Sequence, residues 1–556
     1  MRHLRLFCVV LIISLLLISS PVFTYASIQI PEIVKIGILF NDSKIGVRTA
    51  VSSFTASSDN GIQVGFFKDN IFTAAHLENP FNKVIVRKDS YFVITDKSIS
   101  EYNPLSEKIP EGERIGPFHV KIGEDFEDLN KLYELLIVIK NQGINAYPAY
   151  AGKWQIWSGF YLDETQALES LENSIKPKLG DGIYEIILPS ESRVVAQTDN
   201  GDIITVIDGI HGTMRLHPVE GDATPVISVN GVSYRGDIEV GRYDLSDMTV
   251  INVLHLEEYL YGVVPCEIEA SSHPEALKAQ AVTARTYTIN NIGKYSHIGF
   301  DLSNTTYCQV YKGYSREDAR VNQAVDETKG KIITYNGMTA QVFYFSSSGG
   351  RTEDVKNVWG SEIPYLVSVE DKYESGNSWN YTWEATYTAE QIKEAMLSKN
   401  YDLGNILGVE ITKISESGRV TELVIYGTKG QRAFTNSATR SVLSQLNSQW
   451  YRIETDADVY VLDGNSGNIE KTNLLSKKII SSEGIQDIKV QSGKMTVIGA
   501  EGIIETVSVI PTAYKFSGRG WGHAVGMSQE GAKGMALAGF NYEEILKHYF
   551  QGTQIQ

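Results

Sequence analysis

The chain has 556 residues and a formal net charge of −17 at neutral pH. A chain of this length is expected to form two to four domains with several cores. Because the binding of phosphate backbones needs a basic surface, the acidic balance argues against nucleic acid as a partner and is compatible with a neutral or sugar-like ligand.

The amino-terminal segment predicts export. Two arginines precede an apolar run from Leu6 to Ile18, and small residues follow up to Ala26. This pattern is typical of a secretory signal peptide, so residues 1–26 are expected to be cleaved off; an uncleaved anchor is the alternative. No later stretch reaches the roughly 18 apolar residues of a membrane span. We therefore expect an extracytoplasmic protein, secreted or cell-wall associated, or membrane-anchored if the signal stays.

Two cysteines, Cys266 and Cys308, remain once the signal peptide is removed. Cysteines of an exported protein can pair, but a chain this long does not need such a crosslink. The sequence leaves their pairing open.

Residues 27–110 are predicted to form short strands with polar turns, and the pattern changes in residues 111–178. There a strand, a helix, a hairpin and a second helix follow each other. This order resembles the sporulation-related repeat (SPOR) domain, a small ferredoxin-like fold associated with peptidoglycan binding. The resemblance implies a glycan-binding surface, to which Tyr147, Trp154 and Trp157 could offer flat ring faces. The alternative is that these rings fill a small core.

The strands after residue 182 lead into two predicted helices. "LEEYLYGVV" places Leu256, Tyr259, Leu260 and Val263 on one side of a helix that Pro265 is expected to end. The next helix is expected to start with a capping box formed by Ser272 and Glu275.

Glu267 is expected to lie between these two helices, next to a proline and a cysteine. Partial desolvation there would raise the pKa of the carboxyl and suit it to donate a proton near neutral pH. Most glutamates in such a context are surface residues, and the spacing alone does not make this one catalytic.

A serine and glycine loop follows the predicted strand "FYF", with Ser346, Ser347 and Ser348 before Gly349 and Gly350. Hydroxyls and glycines allow backbone amides to approach a polar ligand, although a plain polar turn has the same composition.

A second glycine-rich loop, "SGRGWGHAVGMSQEG", carries Arg519, Trp521, His523, Ser528 and Gln529. It lacks the spacing and context of a dinucleotide or phosphate loop. Its glycines indicate close backbone approach to a ligand or to another element. The histidine could face a ligand or act as a structural hydrogen-bonding group.

Four stretches occur in a fixed order in the second half of the chain. They are "EEYLYGVVPCEI…ALKAQAVTARTY", "TYCQVYKGY", "FSSSGGRTEDV" and "GRGWGHAVGMSQEGAKGMA". In this order and wording they resemble the stage II sporulation protein D / amidase enhancer family. The resemblance spans residues 182–555, with a less familiar insertion at about 405–505. It implies a multidomain α+β fold in which antiparallel strands support a helical and glycine-loop catalytic centre.

Members of this family that act as enzymes are lytic transglycosylases, which cleave between N-acetylmuramic acid and N-acetylglucosamine in peptide-stripped glycan strands. Other members enhance the amidase that removes the stem peptides. The resemblance therefore implies glycan strands, and possibly a cell-wall amidase, as partners, and it assigns the catalytic acid to Glu267. Its motifs also hold the candidate substrate-binding residues, which are Lys278, Arg285, Ser346, Ser347, Ser348, Arg519, Trp521, His523, Ser528 and Gln529.

Lys278 and Arg285 lie seven residues apart on one predicted helix face. They could bind the lactyl carboxylate of the muramic acid, or they could form a solvated face.

The chain departs from the family in a segment where some relatives bind zinc through cysteines and a histidine. Residues 303–311 read "SNTTYCQVY" here, so that only Cys308 remains of the cysteines and a tyrosine replaces the histidine. One thiolate with His297 nearby cannot close a tetrahedral site. We predict no metal and no cofactor.

Three classes of function stay open on the sequence. The first is a lytic enzyme acting on stripped glycan, and the second is a non-catalytic glycan binder that recruits or stimulates an amidase. The third is a cysteine hydrolase built on Cys266 and His523, for which no orienting partner is visible.

Overall fold

The computed structural model describes residues 28–68, 71–77, 79–95, 98–243, 247–462, 467–472, 478–481, 484–487, 494–498 and 504–556. The predicted signal peptide lies outside the described residues. In the described ranges the protein is a mixed α+β structure, mostly strands with some helices, as predicted. Each helix in these ranges is too short or too polar to cross a bilayer.

One large sheet joins the predicted amino-terminal region, the SPOR-like segment and the strands that follow residue 182. Its order places distant strands side by side, since Phe81–Lys88 pairs with both Ser53–Lys68 and Arg193–Gln197. Within the described ranges 16 strands contribute to it: Ile33–Leu39, Ser53–Lys68, Ile71–Ala74, Phe81–Lys88, Phe118–Phe126, Ala146–Tyr150, Trp154–Tyr161, Tyr184–Ile187, Arg193–Gln197, Ile203–Asp208, Met214–Pro218, Val226–Val229, Val232–Arg235, Asp237–Arg242, Met248–His255 and Leu302–Ser303.

The SPOR-like segment follows the predicted order of strands and helices. Its three strands lie side by side in the order 118–126, 154–161 and 146–150, and strand 184–187, which follows the segment, pairs with the outer side of 118–126; every neighbouring pair is antiparallel. Helices α1 (Leu129–Asn141), α2 (Glu164–Ser170) and α3 (Lys176–Leu179) belong to it, with a π-helical turn between the last two. Strand Ala146–Tyr150 also pairs in parallel with Ile203–Asp208, so the segment is continuous with the large sheet.

A buried ionic network ties three of these regions together. The Asp89 carboxylate lies 2.9 Å from Nε2 of His119 and 3.3 Å from the Arg193 guanidinium, and the three side chains are almost completely buried. Asp89 directly follows strand Phe81–Lys88, whereas His119 and Arg193 lie in strands Phe118–Phe126 and Arg193–Gln197. Because buried charges are costly without partners, these contacts fix how the three strands sit together.

The second half of the chain builds a helical centre on the edge of the sheet. It comprises α4 (Leu256–Glu267), α5 (Pro274–Asn290), α6 (Ala319–Glu327) and the short α7 (Val355–Trp359). Two carboxy-terminal helices that are introduced below also pack on α5. Helix α5 is surrounded by its neighbours, which explains why alanines are buried all around it.

Pro265 does not end α4 as the sequence analysis expected. The helix continues to Glu267, and the Ile268 amide closes the last turn by donating to the Val264 carbonyl at 3.0 Å. A proline within its last turn is accommodated because one lost amide donor there disturbs little of the remaining helix. Glu267 is therefore the last residue of α4 rather than part of a connecting loop.

The predicted capping box at the start of α5 is also wrong. His273 is the N-cap, and its side chain accepts from the Glu275 amide at 3.3 Å. The Glu275 carboxylate instead accepts from the Tyr542 amide at 2.8 Å and pairs with Lys278. Glu275 thus hydrogen-bonds a residue distant in the chain instead of capping the start of its own helix.

The predicted insertion contains a second hydrophobic core. Strands Thr382–Thr388 and Tyr451–Thr455 flank Ala513–Arg519, and a separate sheet holds Ile406–Ile414, Val420–Gly427 and Gly430–Thr435. Helices α8 (Ala389–Ser398) and α9 (Ala438–Ser441) accompany them. The core includes Trp383 and Ile392, so residues that precede position 405 belong to the same unit.

The chain ends with α10 (Gln529–Leu537) and α11 (Tyr542–Tyr549). The remaining short strands in the described ranges are Asn41–Asp42, Val47–Arg48, Phe92–Ile94, Ile99–Glu101, Glu113–Ile115, Ile333–Tyr335, Met338–Thr339, Tyr344–Phe345, Val459–Leu462, Ile469–Thr472, Lys478–Ser481, Gly484–Asp487, Lys494–Ile498, Ile504–Ser508, Met527–Ser528 and Gln554–Ile555.

Candidate active site

Glu267, at the carboxy-terminal end of α4, is the point where four separate stretches of the chain meet. Its Oε1 accepts from the Val310 amide at 3.0 Å. Its carboxyl also hydrogen-bonds the side chains of Tyr344 and Gln529. The four stretches are those on which the family resemblance rests.

A parallel pairing of two short strands brings the serine loop and the second glycine loop to this point. Tyr344 is paired with Met527, and Phe345 with Ser528. Gly526 precedes the second strand with a φ of 79°, and a Cβ there would lie 2.2 Å from the Phe343 carbonyl oxygen. Only glycine allows the two backbones to approach this closely.

The environment of Glu267 favours the protonated carboxyl. The side chain is partly buried, and this burial raises its pKa above the usual range, although the hydrogen bonds from Val310, Tyr344 and Gln529 offset part of the effect. The negative end of the α4 dipole also disfavours a carboxylate at this position. The group is therefore suited to donate a proton.

A polar network behind Tyr344 holds its hydroxyl in place. Gln309 Nε2 donates to that hydroxyl at 3.3 Å, and Thr288 Oγ1 donates to Gln309 Oε1 at 2.8 Å. Burial raises the pKa of Tyr344 well above its usual value, so that the hydroxyl keeps its proton. Tyr344, Gln309 and Val310 are not among the site residues predicted from the sequence, although Tyr344 lies in the predicted strand "FYF" and the other two lie in "TYCQVYKGY".

The family is shown by comparison with known proteins. Residues 244–335 match the family model described as Stage II sporulation protein, and residues 360–467 match one described as a domain of unknown function. The chain is 31% identical to the amidase enhancer of Bacillus subtilis (strain 168) over 351 residues, which are 62% of this chain and 47% of that protein. It is 30% identical to an uncharacterized protein of Brachyspira hyodysenteriae over 329 residues, covering 59% of this chain and 73% of the relative. It is 29% identical to stage II sporulation protein D of Bacillus subtilis over 333 residues, covering 57% and 79%.

The chain belongs to the stage II sporulation protein D / amidase enhancer family. The resemblance predicted from the motifs is thereby confirmed, and the names of the relatives support a role related to the cell wall. The matched region spans about half the length of the amidase enhancer. The SPOR resemblance of residues 111–178 stays a prediction.

Two of the three serines in this family member's serine loop are turned inward. Ser347 and Ser348 are buried, and both donate hydrogen bonds to the carboxylate of Glu374. Ser346 is partly buried and accepts a hydrogen bond from Asn380. The predicted hydroxyl-lined ligand surface is thus reduced to Ser346, because the Glu374 carboxylate, which no sequence motif marks, binds the other two hydroxyls.

Lys278 and Arg285 are committed to internal ion pairs. The Arg285 guanidinium is buried and binds Glu257 through two nitrogens, at 3.0 and 2.6 Å. Lys278 pairs with Glu275 at 2.9 Å and with Glu327 at 2.8 Å. The predicted lactyl-carboxylate ligands are therefore neutralised by the protein itself.

The residues of the second glycine loop divide between surface and core. Arg519 is exposed, with its guanidinium 3.5 Å from the centre of the Trp450 ring, and Trp521 is partly buried. Ser528 is buried and caps α10 by accepting from the Gly531 amide at 3.0 Å. Gln529 is the residue of this loop that hydrogen-bonds the Glu267 carboxyl.

His523 is a structural residue. Its ring packs against Phe343, Phe345 and Trp359, and its Nδ1 accepts from the Val525 amide at 3.1 Å. Desolvation, reinforced by the positive charge of Arg440, lowers its pKa to about 3. It is neutral at physiological pH.

The geometry does not support a cysteine hydrolase. Cys266 and Cys308 are free thiols, and burial raises the pKa of Cys266, so that the nucleophilic thiolate is disfavoured. The proposed base, His523, is held among aromatic rings. In the described part of the chain no group of three or more His, Cys, Asp or Glu side chains could hold a metal ion.

The three aromatic residues predicted to bind glycan in the SPOR-like segment lie in the core. Tyr147, Trp154 and Trp157 are 1%, 5% and 2% exposed. Trp157 stacks on His119 with ring centres 5.1 Å apart. Their faces are covered by protein, as the core interpretation of these rings expects, so a sugar surface on this segment would need other residues.

Proposed function

We propose that this protein is an extracytoplasmic lytic transglycosylase. It would cleave between N-acetylmuramic acid and N-acetylglucosamine in peptide-stripped glycan strands, during cell-wall remodelling in sporulation. The supporting observation is the convergence of Val310, Tyr344 and Gln529 on Glu267, whose pKa is raised by burial. A carboxyl that served only as a surface charge would need none of these partners.

One carboxyl is enough for this reaction. Ordinary glycosidases use two, an acid and a nucleophile or base. Here Glu267 donates its proton to the glycosidic oxygen as the bond from that oxygen to the anomeric carbon breaks. The 6-hydroxyl of the same muramic acid then attacks that carbon, and the Glu267 carboxylate takes the hydroxyl proton. The products are a 1,6-anhydro end and a free 4-hydroxyl, and the acid is regenerated.

Tyr344 and Gln529 would orient the carboxyl through both steps. Their hydrogen bonds favour the carboxylate form that exists between the two proton transfers, whereas burial favours the acid form. The balance between these effects suits a group that must donate and then accept a proton.

The second candidate is a glycan-binding enhancer of an N-acetylmuramoyl-L-alanine amidase without its own activity. It is favoured by the similarity to the Bacillus subtilis amidase enhancer. In that case Glu267 would contribute to the fold or to glycan binding alone.

Mass spectrometry of products from amidase-treated glycan strands separates the two candidates. We expect new 1,6-anhydro ends with the wild type and with Glu269→Gln, a control at an exposed glutamate two residues away. We expect none with Glu267→Gln. Unchanged cleavage by Glu267→Gln would refute the catalytic assignment. Binding without products from the wild type would move the protein to the enhancer class.

A further inference from the structure

Trp379 is the most exposed tryptophan of the protein. It is 73% exposed, although burying a ring of this size stabilises a protein by roughly 2–3 kcal/mol. Its ring centre lies 5.1 Å from that of Trp521, at an interplanar angle of 60°. The two indoles form an aromatic corner on the surface.

The loop that carries Trp379 is anchored at both ends. At its start, Glu374 accepts from the hydroxyls of Ser347 and Ser348. At its end, the Tyr381 carbonyl accepts from the Gly520 amide at 2.7 Å. An exposed ring on such a fixed loop is pre-organised for contact, since little conformational entropy is lost when a ligand binds to it.

The aromatic corner is close to the candidate active site. Asn380, the next residue after Trp379, donates to the hydroxyl of Ser346. Ser346 directly follows the strand Tyr344–Phe345 and is two residues from Tyr344, so their Cα atoms are at most about 7 Å apart. Tyr344 in turn hydrogen-bonds Glu267. A glycan chain that extended from Glu267 along residues 344–346 would reach the aromatic corner.

We propose that Trp379 and Trp521 form a sugar-binding subsite that stacks an N-acetylhexosamine ring of the glycan, away from the cleaved bond. One face of a pyranose ring carries mainly C–H groups, which pack well on an indole. Two indoles set at an angle contact the ring and its N-acetyl methyl group together. This inference rests on the proposed function, because that function supplies the glycan that runs past Glu267.

Binding is measured in the Glu267→Gln background, so that the ligand stays intact. The probe is the amidase-treated glycan strand, titrated by calorimetry into the protein with Trp379, with Trp379→Ala or with Trp379→Tyr. We expect Trp379→Ala to weaken binding about tenfold and Trp379→Tyr to weaken it much less, since a ring is retained. Because the side chain is exposed, neither substitution is expected to disturb the fold. Tyr460→Ala removes an equally exposed ring from a hairpin of another sheet and should leave binding unchanged.

The outcomes separate this inference from the proposed function. Equal affinity with and without the Trp379 ring would overturn the subsite, even if wild-type protein cleaves glycan. A loss of affinity in Trp379→Ala supports the subsite even if wild-type protein yields no 1,6-anhydro ends. If Trp379→Ala binds glycan normally but no longer stimulates a cell-wall amidase, the corner contacts a protein and the sugar assignment is wrong.

Discussion

At the scale of single residues, Glu267 combines two opposing influences. Burial at the end of α4 raises its pKa, while the hydrogen bonds from Val310, Tyr344 and Gln529 lower it. The activity of a general acid falls as the pH rises through its pKa, because the proton to be donated is lost. The pH dependence of cleavage therefore reports directly on this balance.

Replacing Tyr344 by phenylalanine should move the alkaline limb of the rate profile to higher pH. The variant loses a hydrogen bond that stabilises the carboxylate, so the pKa of Glu267 rises further. The measurement is the pH dependence of kcat/KM on stripped glycan. Tyr287→Phe is the control, since its ring lies 6.4 Å from that of Tyr344 but its hydroxyl is not among the groups that hydrogen-bond Glu267. A limb that stays in place or moves down would contradict the proposed role of Tyr344.

His523 should affect stability rather than catalysis. Its pKa is lowered from 6.5 to about 3 in the folded protein. Between these values the unfolded chain binds a proton that the folded one does not, so stability falls as the pH drops from about 6.5 toward 3. The slope is at most about 1.4 kcal/mol per pH unit. Urea unfolding at pH 7 and pH 4.5 should show a smaller loss for His523→Gln than for the wild type, whereas exposed His211→Gln should behave as the wild type. Equal losses in all three proteins would show that His523 is protonated in the fold.

The sequence identified Glu267 and the loops around it, but not how those loops are used. Ser347 and Ser348 have the residue type of ligand groups, but the carboxylate of Glu374, which lies in no recognised motif, accepts hydrogen bonds from both hydroxyls. Arg285 looks like an anion-binding residue until it meets Glu257. In each case the deciding partner is distant along the chain, so no local pattern contains it.

At the scale of secondary-structure elements, the insertion supports the site from outside. Arg419 follows the first strand of its separate sheet and is buried. Its Nη2 donates to the carbonyls of Ser348 and Arg351, both at 2.6 Å, and its Nη1 to that of Thr352 at 3.2 Å. One guanidinium thus binds three backbone carbonyls at the end of the serine loop, and its planar arrangement of donors suits this geometry.

Removal of the Arg419 guanidinium should lower the free energy of unfolding of the protein. Arg419→Met removes the donors of three hydrogen bonds to backbone carbonyls, and each buried acceptor left unsatisfied costs about 1–3 kcal/mol, so the free energy of unfolding should fall by about 3 kcal/mol or more. The measurement is the free energy of unfolding in urea. Arg432→Met, at an exposed position of the same sheet, should change it by less than about 0.5 kcal/mol. Similar values for the two variants would mean that Arg419 does not hold the serine loop.

Helix positions followed well from sequence periodicity, whereas helix ends did not. The buried face of α4 contains the four residues predicted from their spacing, Leu256, Tyr259, Leu260 and Val263. The predicted end of α4 is wrong because Pro265 does not break the helix. The predicted start of α5 is wrong because Glu275 accepts from the amide of Tyr542 instead of forming a capping box. Periodicity reflects the core on which a helix packs, but its ends depend on single hydrogen bonds for which tertiary partners compete.

At the scale of the whole molecule, the large sheet joins regions that look separate in the sequence. Composition changes near residues 110 and 182 suggested boundaries, yet strands on both sides of each pair directly. Pairing between strands so far apart cannot be read from alternation of apolar residues, since that pattern fixes which face is buried but not which neighbour is chosen.

The contacts of Asp89 with His119 and Arg193 allow a test of how these regions are held together. Burial alone would raise the pKa of Asp89, but the charge and hydrogen bond of His119, with Arg193 and Arg87, lower it below the usual value. Its contribution to stability is therefore present above the unfolded pKa of about 3.9 and is lost as the pH falls below it. At pH 7 Asp89→Asn should lower the free energy of unfolding by about 3–5 kcal/mol. Asp199→Asn, which breaks an exposed pair with Lys83, should cost less than about 1 kcal/mol. A small effect at Asp89 would mean that strand pairing and apolar packing hold the regions together without this network.

The parallel pairing of strand Tyr344–Phe345 with Met527–Ser528 makes the candidate site depend on residues that are synthesised late. A chain is made from its amino end, so Glu267 exists long before Gln529 has been synthesised to hydrogen-bond it. Until then the Glu267 carboxyl lacks one of the hydrogen bonds that orient it. Under the proposed function, a chain interrupted before Met527 would keep the first three motifs but lack Gln529, and it should release no 1,6-anhydro ends. Under the proposed function, activity on glycan strands would therefore appear only after the whole chain has been made and folded.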